Sequence, residues 1–391
     1  MKMHAVLCLV IMMILPSPAA GGERNTINII YTGGLEGELE PCGCSPKTDF
    51  GGVARLSGYL NEHANELSPR VLVDAGNFTA KDTPQGRLKA GAMLRSFDLM
   101  KYDAVAFSDN EKAFPQDFFH SVAESVRVPF VSDASSERRS ILIRRDKLDI
   151  KISAVSGDIR KGSLNILLTD MPVSRARLVR GWDVIIVSSG EILEEPVDSN
   201  GTIIAAGYPK GRKAGILKLE TGNNGRVRGF THMWQPLGSD IREDADVRSV
   251  LNEYDANVAG LLKAYERPVN GSSYIGAAGC AQCHQLFEES WMGTRHASAF
   301  SSLQRTGRSA DPECLVCHTV GYGEKGGFFS RETTPGLANV QCEECHGPGR
   351  EHAVDFSVPM KPVTVTVCLK CHTGDRSPDF DYPVYYETIK H

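Results

Sequence analysis

Five-residue motifs of the form C-x-x-C-H occur four times in the last third of the chain. They read CAQCH from Cys280, CLVCH from Cys314, CEECH from Cys342 and CLKCH from Cys368. Two thiols at this spacing add to the two vinyl groups of one haem, and the histidine that follows binds the iron from one face. Zinc sites and redox disulfides use C-x-x-C pairs without requiring a histidine directly after each pair. The repeats therefore predict four covalently bound c-type haems.

Each motif contributes two thioether cysteines and one axial histidine. The predicted haem-binding residues are Cys280, Cys283, His284, Cys314, Cys317, His318, Cys342, Cys345, His346, Cys368, Cys371 and His372. The same region holds three spare histidines, His296, His352 and His391, as candidates for the opposite face of an iron. Four irons and three spare histidines predict three haems with two histidine ligands and one haem without. For that haem the sequence leaves Met292, Met360, a front-half residue or water open.

Residues 271–391 provide about 30 residues for each predicted haem. This is too little polypeptide to form a large side-chain core. The porphyrins must therefore supply most of the buried apolar surface. We expect a domain of short helices and loops that does not fold without haem. An iron with two histidine ligands suits electron transfer, whereas an open iron could bind a small nitrogen or sulfur species.

The first residues indicate export. Lys2 precedes an apolar run from Ala5 to Leu15, and Pro16 and Pro18 end that run ahead of small residues suited to cleavage. The run of about 11 residues is shorter than the roughly 20 that a membrane span needs. Haem thioethers are normally made outside the cytoplasm. Residues 1–21 are therefore predicted to be a signal peptide, and the mature chain to be periplasmic or otherwise exported.

Length and charge limit the remaining possibilities. A chain of 391 residues predicts two domains. The net charge of -5, without a long basic run, argues against a nucleic-acid partner. The predicted units are a front domain at 24–235, a linker helix at 236–270 and a haem domain at 271–391.

The run from Tyr274 to His391 contains YIGAAGCAQCH, W-x-G-T-x-HA-x-AF, VQCEECHGPGREH and FDYPVYYETIKH. In these stretches, over about the last third of the chain, it resembles the tetrahaem cytochrome c-554 family. The resemblance implies electron transfer through closely packed haems and an open haem on His318. It also implies proximal ligands His284, His318, His346 and His372, and distal ligands His296, His352 and His391.

The front half alternates apolar strands with helices. Strands are predicted at INIIYT, RVLVDAG, YDAVAFS, VPFVSD, DIKISAVSG, WDVIIVSS, TIIAAG and AGILKLE, each bounded by turn residues. GGVARLSGYLNEHANEL and KAGAMLRSFDLM have apolar residues at helical spacing. These patterns predict an α/β layered domain with mixed sheets and flanking helices.

The order of these elements resembles the calcineurin-like metallophosphoesterases, especially the exported 5'-nucleotidases. The resemblance implies metal ligands at positions that hold Gly34 and Glu36 in YTGGLEG, Asn77 in VLVDAGNF, Asp109 and Asn110 in SDNE, and Ser189 and Glu191 in SSGE. The family's histidine ligands and bridging aspartate are absent, so two-metal hydrolysis is not expected. A remodelled oxygen-rich site of Glu36, Asn77, Asp109 and Glu191, able to hold a hard cation, stays an alternative.

GGLEGELEPCGC, which occupies the place of the family's first metal loop, carries Cys42 and Cys44. Ser45 follows where haem attachment would need a histidine. In an oxidising compartment the two cysteines could form a structural loop disulfide, pair with another chain, bind metal, or take electrons from the haems. The sequence favours the structural disulfide and leaves the others open.

The segment between the domains predicts one helix, capped by Asp240, whose apolar stripe packs on a domain rather than binding a partner. The stripe comprises Val247, Val250, Leu251, Tyr254, Val258, Leu261 and Leu262.

The sequence as a whole predicts an exported multihaem electron carrier that exchanges electrons with redox partner proteins. Its phosphoesterase-like front domain would dock a partner or position the haems. One alternative is an oxidoreductase at the open haem with Arg295, Glu343 or Glu344 as a proton donor, although each of these is expected to be a surface charge. A metal-binding or hydrolytic front domain is the other alternative.

Overall fold

The computed structural model describes residues 25–134, 138–222, 224–264 and 271–391. The predicted signal peptide lies outside these residues, as do residues 265–270 of the predicted linker. The strands are β1 Asn25–Thr32, β2 Arg70–Asp74, β3 Ala104–Phe107, β4 Phe130–Ser132, β5 Ser140–Arg145, β6 Leu148–Ser153, β7 Leu164–Thr169, β8 Val184–Val187, β9 Val197–Ser199, β10 Thr202–Ala206, β11 Lys213–Thr221 and β12 Val227–Pro236.

Helices flank these strands and make up most of the regular structure after residue 271. They are α1 Val53–Glu62, α2 Pro84–Met100, α3 Asp109–Lys112, α4 Gln116–Ala123, α5 Val173–Ala176, α6 Ala245–Ala264, α7 Gly276–Met292, α8 Ala299–Arg305, α9 Pro312–His318, α10 Cys342–His346, α11 Arg350–Val354, α12 Val365–Cys368 and α13 Tyr382–Glu387.

The front domain contains two mixed sheets. One has the strand order β12-β11-β1-β2-β3-β4, with β1 to β4 parallel and β11 and β12 joined to them by antiparallel pairing. The other has the order β5-β6-β7-β8-β10-β9, with parallel central strands and antiparallel edges. The predicted α/β architecture with mixed sheets and flanking helices is confirmed.

The two faces of β1 show how the layers are held together. Ile27, Ile29 and Tyr31 point into the apolar core between the two sheets. Ile30 points the other way, into a second core that α1, α2 and α6 share with the sheet. Alternation along an extended chain thus directs one strand into both cores. The polar ends of the parallel strands are left at one edge of this sandwich.

All eight predicted strands are present, and four further strands were not predicted. β7 has a buried apolar run that could have been recognised from LNILLT. β5, β9 and β12 are partly exposed and lie at sheet edges, so their patterns are less regular. Edge strands bury only part of their surface, which weakens the sequence signal for them.

The predicted linker helix is α6, and it packs on the front domain. Val247, Val250 and Leu251 are buried in the core that also contains α1 and α2. The predicted cap, Asp240, is wrong: the helix begins at Ala245, and Asp244 Oδ1 accepts hydrogen bonds from the backbone of the next turn. Aspartate is a favourable N-cap residue at either position. Asp244 is the cap because the helix starts at the next residue, where the chain begins to pack on the core.

The haem domain differs from the front domain in its small apolar core. Its buried cluster contains Tyr274, Phe300, Leu303, Leu315, Val320, Phe328, Leu337 and Ala338. Leu286, Val354 and Phe356 are exposed by 70% or more. Short helices and loops make up the domain, as predicted. Within the described residues, no helix has the length and apolar character required to cross a bilayer.

Replacing Leu251 with alanine is expected to destabilise the front domain by about 2–5 kcal/mol, because the leucine is fully buried and its removal leaves a cavity. The exposed neighbour Asn252 provides the control, since Asn252→Ala should change stability by less than about 0.5 kcal/mol. Denaturant unfolding followed by circular dichroism measures both. Equal effects would show that α6 does not belong to the front-domain core.

Candidate haem sites and the adjoining cleft

Three pairs of histidine rings face one another in the haem domain. The ring centres are 6.3 Å apart in His284–His352 and 6.2 Å apart in His296–His372. In His346–His391 they are 6.0 Å apart. A metal–imidazole nitrogen bond is about 2 Å long and the ring centre lies about 1 Å beyond the nitrogen, so two rings that bind one metal atom from opposite sides have centres about 6 Å apart. Each pair therefore has the spacing of two axial ligands.

The second ring nitrogen of these histidines is held by hydrogen bonds. Nδ1 of His352 lies 2.8 Å from the Val358 carbonyl, and Nδ1 of His346 lies 3.3 Å from the Lys361 carbonyl. A carbonyl can only accept, so Nδ1 carries the proton and Nε2 is the nitrogen available to a metal. These bonds fix both the tautomer and the ring orientation that an axial ligand requires.

Burial also favours the neutral form of the ring pair His296 and His372. It lowers the pKa of both side chains, and for His296 the charge of His372 lowers the pKa further. Metal ligation requires a neutral imidazole. The ring of Phe380 stacks on His372 at a centre-to-centre distance of 4.6 Å and restricts its orientation.

The carboxylate of Glu343 positions the first ring pair. This residue is only 2% exposed and accepts hydrogen bonds from the backbone N–H groups of Ile275, Gly276 and Gly349. It thereby ties the start of α7, which carries His284, to the loop before α11, which carries His352. The expectation that Glu343 is a surface charge is wrong, because the backbone donors compensate its burial.

The two other candidate proton donors are placed differently. Glu344 is half-buried and accepts from the Gly321 N–H at 2.9 Å, and its burial raises its pKa. Arg295 is exposed, as expected of a surface charge. Met292 is exposed, and Met360 lines a cavity together with His346 and His352.

His318, from the second motif, has a different environment. Its Nδ1 lies 2.7 Å from the Ala299 carbonyl and 3.3 Å from the Ser302 hydroxyl, which again leaves Nε2 for a metal. Across the part of the chain that the structure describes, no other histidine ring faces it at the 6 Å spacing of the three pairs. The ring arrangement thus separates His318 from the other motif histidines.

The surroundings of the motif residues fit a large apolar group. One cavity is lined by both thiols and the histidine of the third motif, by His391 and by aromatic side chains. The exposed apolar side chains of this domain would be covered by porphyrin rings, since residues 271–391 have little core of their own. Thiols and imidazoles are the donor set of a covalently attached haem. The uncovered apolar surface is suited to packing against its porphyrin ring.

Neighbouring motifs contact one another through their cysteines. The thiols of Cys280 and Cys342 lie close enough to shift each other's pKa, as do those of Cys317 and Cys371. Cys368 also lies near Cys345 and raises its pKa, although burial of Cys345 raises it more. The motifs therefore lie in the spatial order first, third, fourth, second, which differs from their order along the chain.

The cleft of the front domain lies at the polar ends of the parallel strands. Asn77, at the place of the family's aspartate, donates from its amide to the Ser188 carbonyl at 3.0 Å, and its Oδ1 accepts from the Asn110 N–H at 3.1 Å. Glu191 accepts from the Val173 N–H at the start of α5. These contacts occupy the side chains that a remodelled metal site would need.

Two other predicted cleft residues are also placed without forming a cation site. Glu36 has an exposed side chain, and the Asp109 N–H donates to an Asp170 carboxylate oxygen at 3.0 Å. Among the described residues, no group of three or more His, Cys, Asp or Glu side chains is arranged to hold a metal ion. Ser189 donates its hydroxyl to Glu191, and Gly34 has φ 68°, which glycine adopts readily.

Residues 279–347 match the family described as cytochrome c554 and c-prime. A curated relative, cytochrome c-554 of Nitrosomonas europaea, is 35% identical over 97 residues. Residues 279–347 therefore belong to a C-terminal cytochrome c-554 family domain. The match covers 21% of this chain and 41% of the relative, so it reaches less than half of that protein's length. A c-type cytochrome domain binds haem covalently, in agreement with the donor set described above.

The front domain is similar to solved nucleotidase structures. A 5'-nucleotidase precursor from Thermus thermophilus superposes with a TM-score of 0.53 at 13% identity, over 72% of this chain and 68% of that chain. The NAD nucleotidase of Haemophilus influenzae gives a TM-score of 0.50 at 14% identity, over 66% of this chain and 64% of that chain. At these identities the similarity establishes the metallophosphoesterase-like fold alone.

The cytochrome c-554 domain is attached to the front domain by polar contacts. Lys89 on α2 has a largely buried side chain and pairs with Glu313, just before the second motif, at 2.8 Å. Gln85 donates to Asp311 at 3.0 Å. Glu40, in the loop between β1 and α1, pairs with Arg308 of the cytochrome domain. This loop of the front domain thus contacts the cytochrome domain.

A second group of ion pairs joins the front domain to the segment after the fourth motif. Lys210 and Arg212 bind Asp375 at 2.7 and 2.8 Å. Lys47 binds Asp379 at 2.7 Å. Nothing in the sequence marked these residues, because each pair joins positions at least 163 residues apart, as between 212 and 375.

Asp74, at the end of β2, provides a pH test of the cleft. Burial raises its pKa to about 7, against hydrogen bonds from Thr32 and the Gly76 N–H. Because the folded pKa exceeds the unfolded value of about 3.9, the stabilisation is complete below about pH 4 and is lost as pH rises through about 7. Relative to Asp74→Asn, the wild-type protein should lose up to about 4 kcal/mol across this range.

Denaturant unfolding of the holoprotein at several pH values measures this difference. Asp146→Asn, at an exposed turn, is the matched control and should show no such pH-dependent difference. A constant difference between wild type and Asp74→Asn from pH 4 to 7 would contradict the raised pKa.

Proposed function

We propose that this chain is an exported electron carrier with four covalently attached haems, and that its front domain is a non-catalytic scaffold that holds the haem domain. The three histidine ring pairs at 6.0–6.3 Å carry the proposal. The four motifs supply the haem count, and the apolar run of residues 5–15 supplies the argument for export. Redox proteins of the same compartment would be the partners.

Each ring pair belongs to one motif in this proposal. The first haem is bound through Cys280 and Cys283, with His284 and His352 as axial ligands. The third uses the thiols of Cys342 and Cys345, with His346 and His391, and the fourth the thiols of Cys368 and Cys371, with His372 and His296. The second is attached at Cys314 and Cys317 and has His318 on one face.

The haem, when bound, supplies a one-electron iron couple. The chain's own residues provide the rest of the function. Nδ1 hydrogen bonds hold the rings of His346, His352 and His318 in place. The cysteines of neighbouring motifs lie close together in the order first, third, fourth, second. Electrons would therefore travel between the first-haem end and the second-haem end, where the front domain is attached.

A second function, oxidation or reduction of a small nitrogen or sulfur species at the second haem, is favoured by one observation. His318 lacks, among the described residues, the histidine counterpart found for the other three motif histidines. Arg376 donates to Cys317 Sγ at 3.5 Å, which places a cation beside this site. Burial raises the pKa of Glu38, whereas the nearby charge of Arg376 lowers it.

Electron paramagnetic resonance of the oxidised holoprotein tests the ligand assignment. We expect about one iron in four to be high-spin and to form a nitrosyl with nitric oxide, because one haem in four lacks a second histidine. His391→Ala should raise the high-spin fraction to about two in four while all four haems stay attached. His120→Ala, at an exposed front-domain position, is the control.

Two outcomes of that measurement decide between the two functions. Four low-spin iron signals that do not change when nitric oxide is added would contradict the small-molecule function and leave the electron-carrier function. An unchanged spectrum of His391→Ala would show that His391 is not a ligand and overturn the pairing with His346.

The scaffold role predicts that the domain contact weakens when Lys89 loses its partner. In Glu313→Gln, backbone hydrogen exchange in residues 85–93 and 308–318 should become faster. The free energy of local opening should fall by about 1 kcal/mol. This value is low because the side chain of Glu313 is half-exposed. Glu332→Gln, an exposed residue of the same domain, is the matched control. Equal exchange in both variants would contradict a role of this ion pair in holding the domains together.

A further inference from the structure

The front domain's cysteine pair lies in the loop between β1 and α1, residues 33–52, here named the disulfide loop, which contacts the cytochrome domain. Cys42 and Cys44 form a disulfide with one residue between them, and both are exposed. Gly43 between them has φ 67°, and a Cβ atom there would meet nothing within 4 Å. The sulfur atoms are thus accessible, on a backbone turn that glycine adopts readily.

A purely structural role explains this disulfide poorly. Stabilisation by a disulfide grows with the length of chain that it closes, and a ring with a single intervening residue is among the shortest possible. The disulfide also does not pack against the hydrophobic core, since both cysteines are exposed. Exposed disulfides are in general more easily reduced than buried structural ones.

Ion pairs to the cytochrome domain flank the disulfide on both sides. On one side, Glu40 pairs with Arg308, six residues before Cys314 of the second motif. On the other side, Lys47 pairs with Asp379, in the segment that follows the fourth motif. The disulfide loop is therefore bound by ion pairs to two segments of the cytochrome domain, one before the second motif and one after the fourth motif.

The segment after the fourth motif makes the contact with the haem-binding residues. Next to Asp379, the ring of Phe380 stacks on His372 at 4.6 Å. Arg376 reaches Cys317 Sγ of the second motif at 3.5 Å. Asp375 is held by Lys210, which also lies 3.9 Å from Glu38 in the disulfide loop. The contacts from the disulfide loop thus lead to the residues that hold the last two haems of the proposed order.

We propose that Cys42–Cys44 is a two-electron redox site that exchanges electrons with the haems of the same chain. The sulfur–sulfur bond accepts two electrons and two protons and breaks, giving two thiols. The electrons come from two haem irons, each oxidised from ferrous to ferric, and the protons come from water. This inference rests on the proposed electron-carrier function. It adds a disulfide/dithiol pair as a further electron-accepting site, next to the second haem of the proposed series.

The test uses the full-length holoprotein without any thiol reductant. The oxidised protein is reduced at an electrode under anaerobic conditions in the presence of N-ethylmaleimide, and peptides are analysed by mass spectrometry. We expect both Cys42 and Cys44 to become alkylated as the haems are reduced. The protein should take up two electrons more than its number of haems, and Cys42→Ser with Cys44→Ser should remove those two electrons.

Two controls identify the haems as the source of the electrons. A synthetic disulfide peptide with the sequence of residues 38–48, added to the same cell, should stay unlabelled while the protein is labelled. The double variant Lys47→Gln, Lys210→Gln should be labelled more slowly at equal haem reduction, because the loop is no longer held at the cytochrome domain. Lys161→Gln with Lys218→Gln, at exposed positions, is the matched control.

The same sample separates this proposal from the proposed function. Fully reduced haems with unlabelled Cys42 and Cys44 would overturn the disulfide proposal and leave the electron carrier intact. Equal labelling of the added peptide would also overturn it, since the electrode would then act on the disulfide directly. Fewer than four haems by intact mass, or haems that the electrode does not reduce, would overturn the proposed function instead.

Discussion

The cytochrome domain depends on holding pairs of imidazole rings about 6 Å apart with Nε2 directed inward. Rings several ångströms closer or farther apart could not bind one metal atom from opposite sides. Backbone carbonyls such as that of Val358 set the ring orientations, and the buried carboxylate of Glu343 fixes the separation of two segments that carry a pair. Little else in this domain is a side-chain core, so these polar contacts and the haems together determine its structure.

The front domain's fold depends on its apolar cores rather than on the residues of the cleft. Two six-stranded sheets and their helices bury an extensive apolar core that does not involve the cleft residues. Asn77, in the cleft, is hydrogen-bonded to Ser188 and Asn110. Because stability resides in the core and the cleft is peripheral, cleft residues can vary without loss of the sandwich.

The two domains meet at the loop between β1 and α1 and at α2 behind it. Glu40 and Lys47 in that loop, and Lys89 behind it, form ion pairs with the cytochrome domain. The largely buried side chain of Lys89 requires its partner, because an unpaired charge at such a position is costly. These ion pairs attach the cytochrome domain to the front domain and bring the second motif beside it.

The sequence by itself determined the local features: the haem-attachment motifs, the three spare histidines, eight of the strands and the apolar stripe of α6. These depend on residue type and short spacing, which a single chain displays directly. Only the tertiary structure decided which histidines face each other, that Glu343 is buried, that Asp244 caps α6, and which ion pairs join the domains. His296 faces His372 across 76 residues of chain, and Lys89 meets Glu313 across 224, as their numbering shows. Such partners are selected by the packing of distant segments, and no local pattern records that packing.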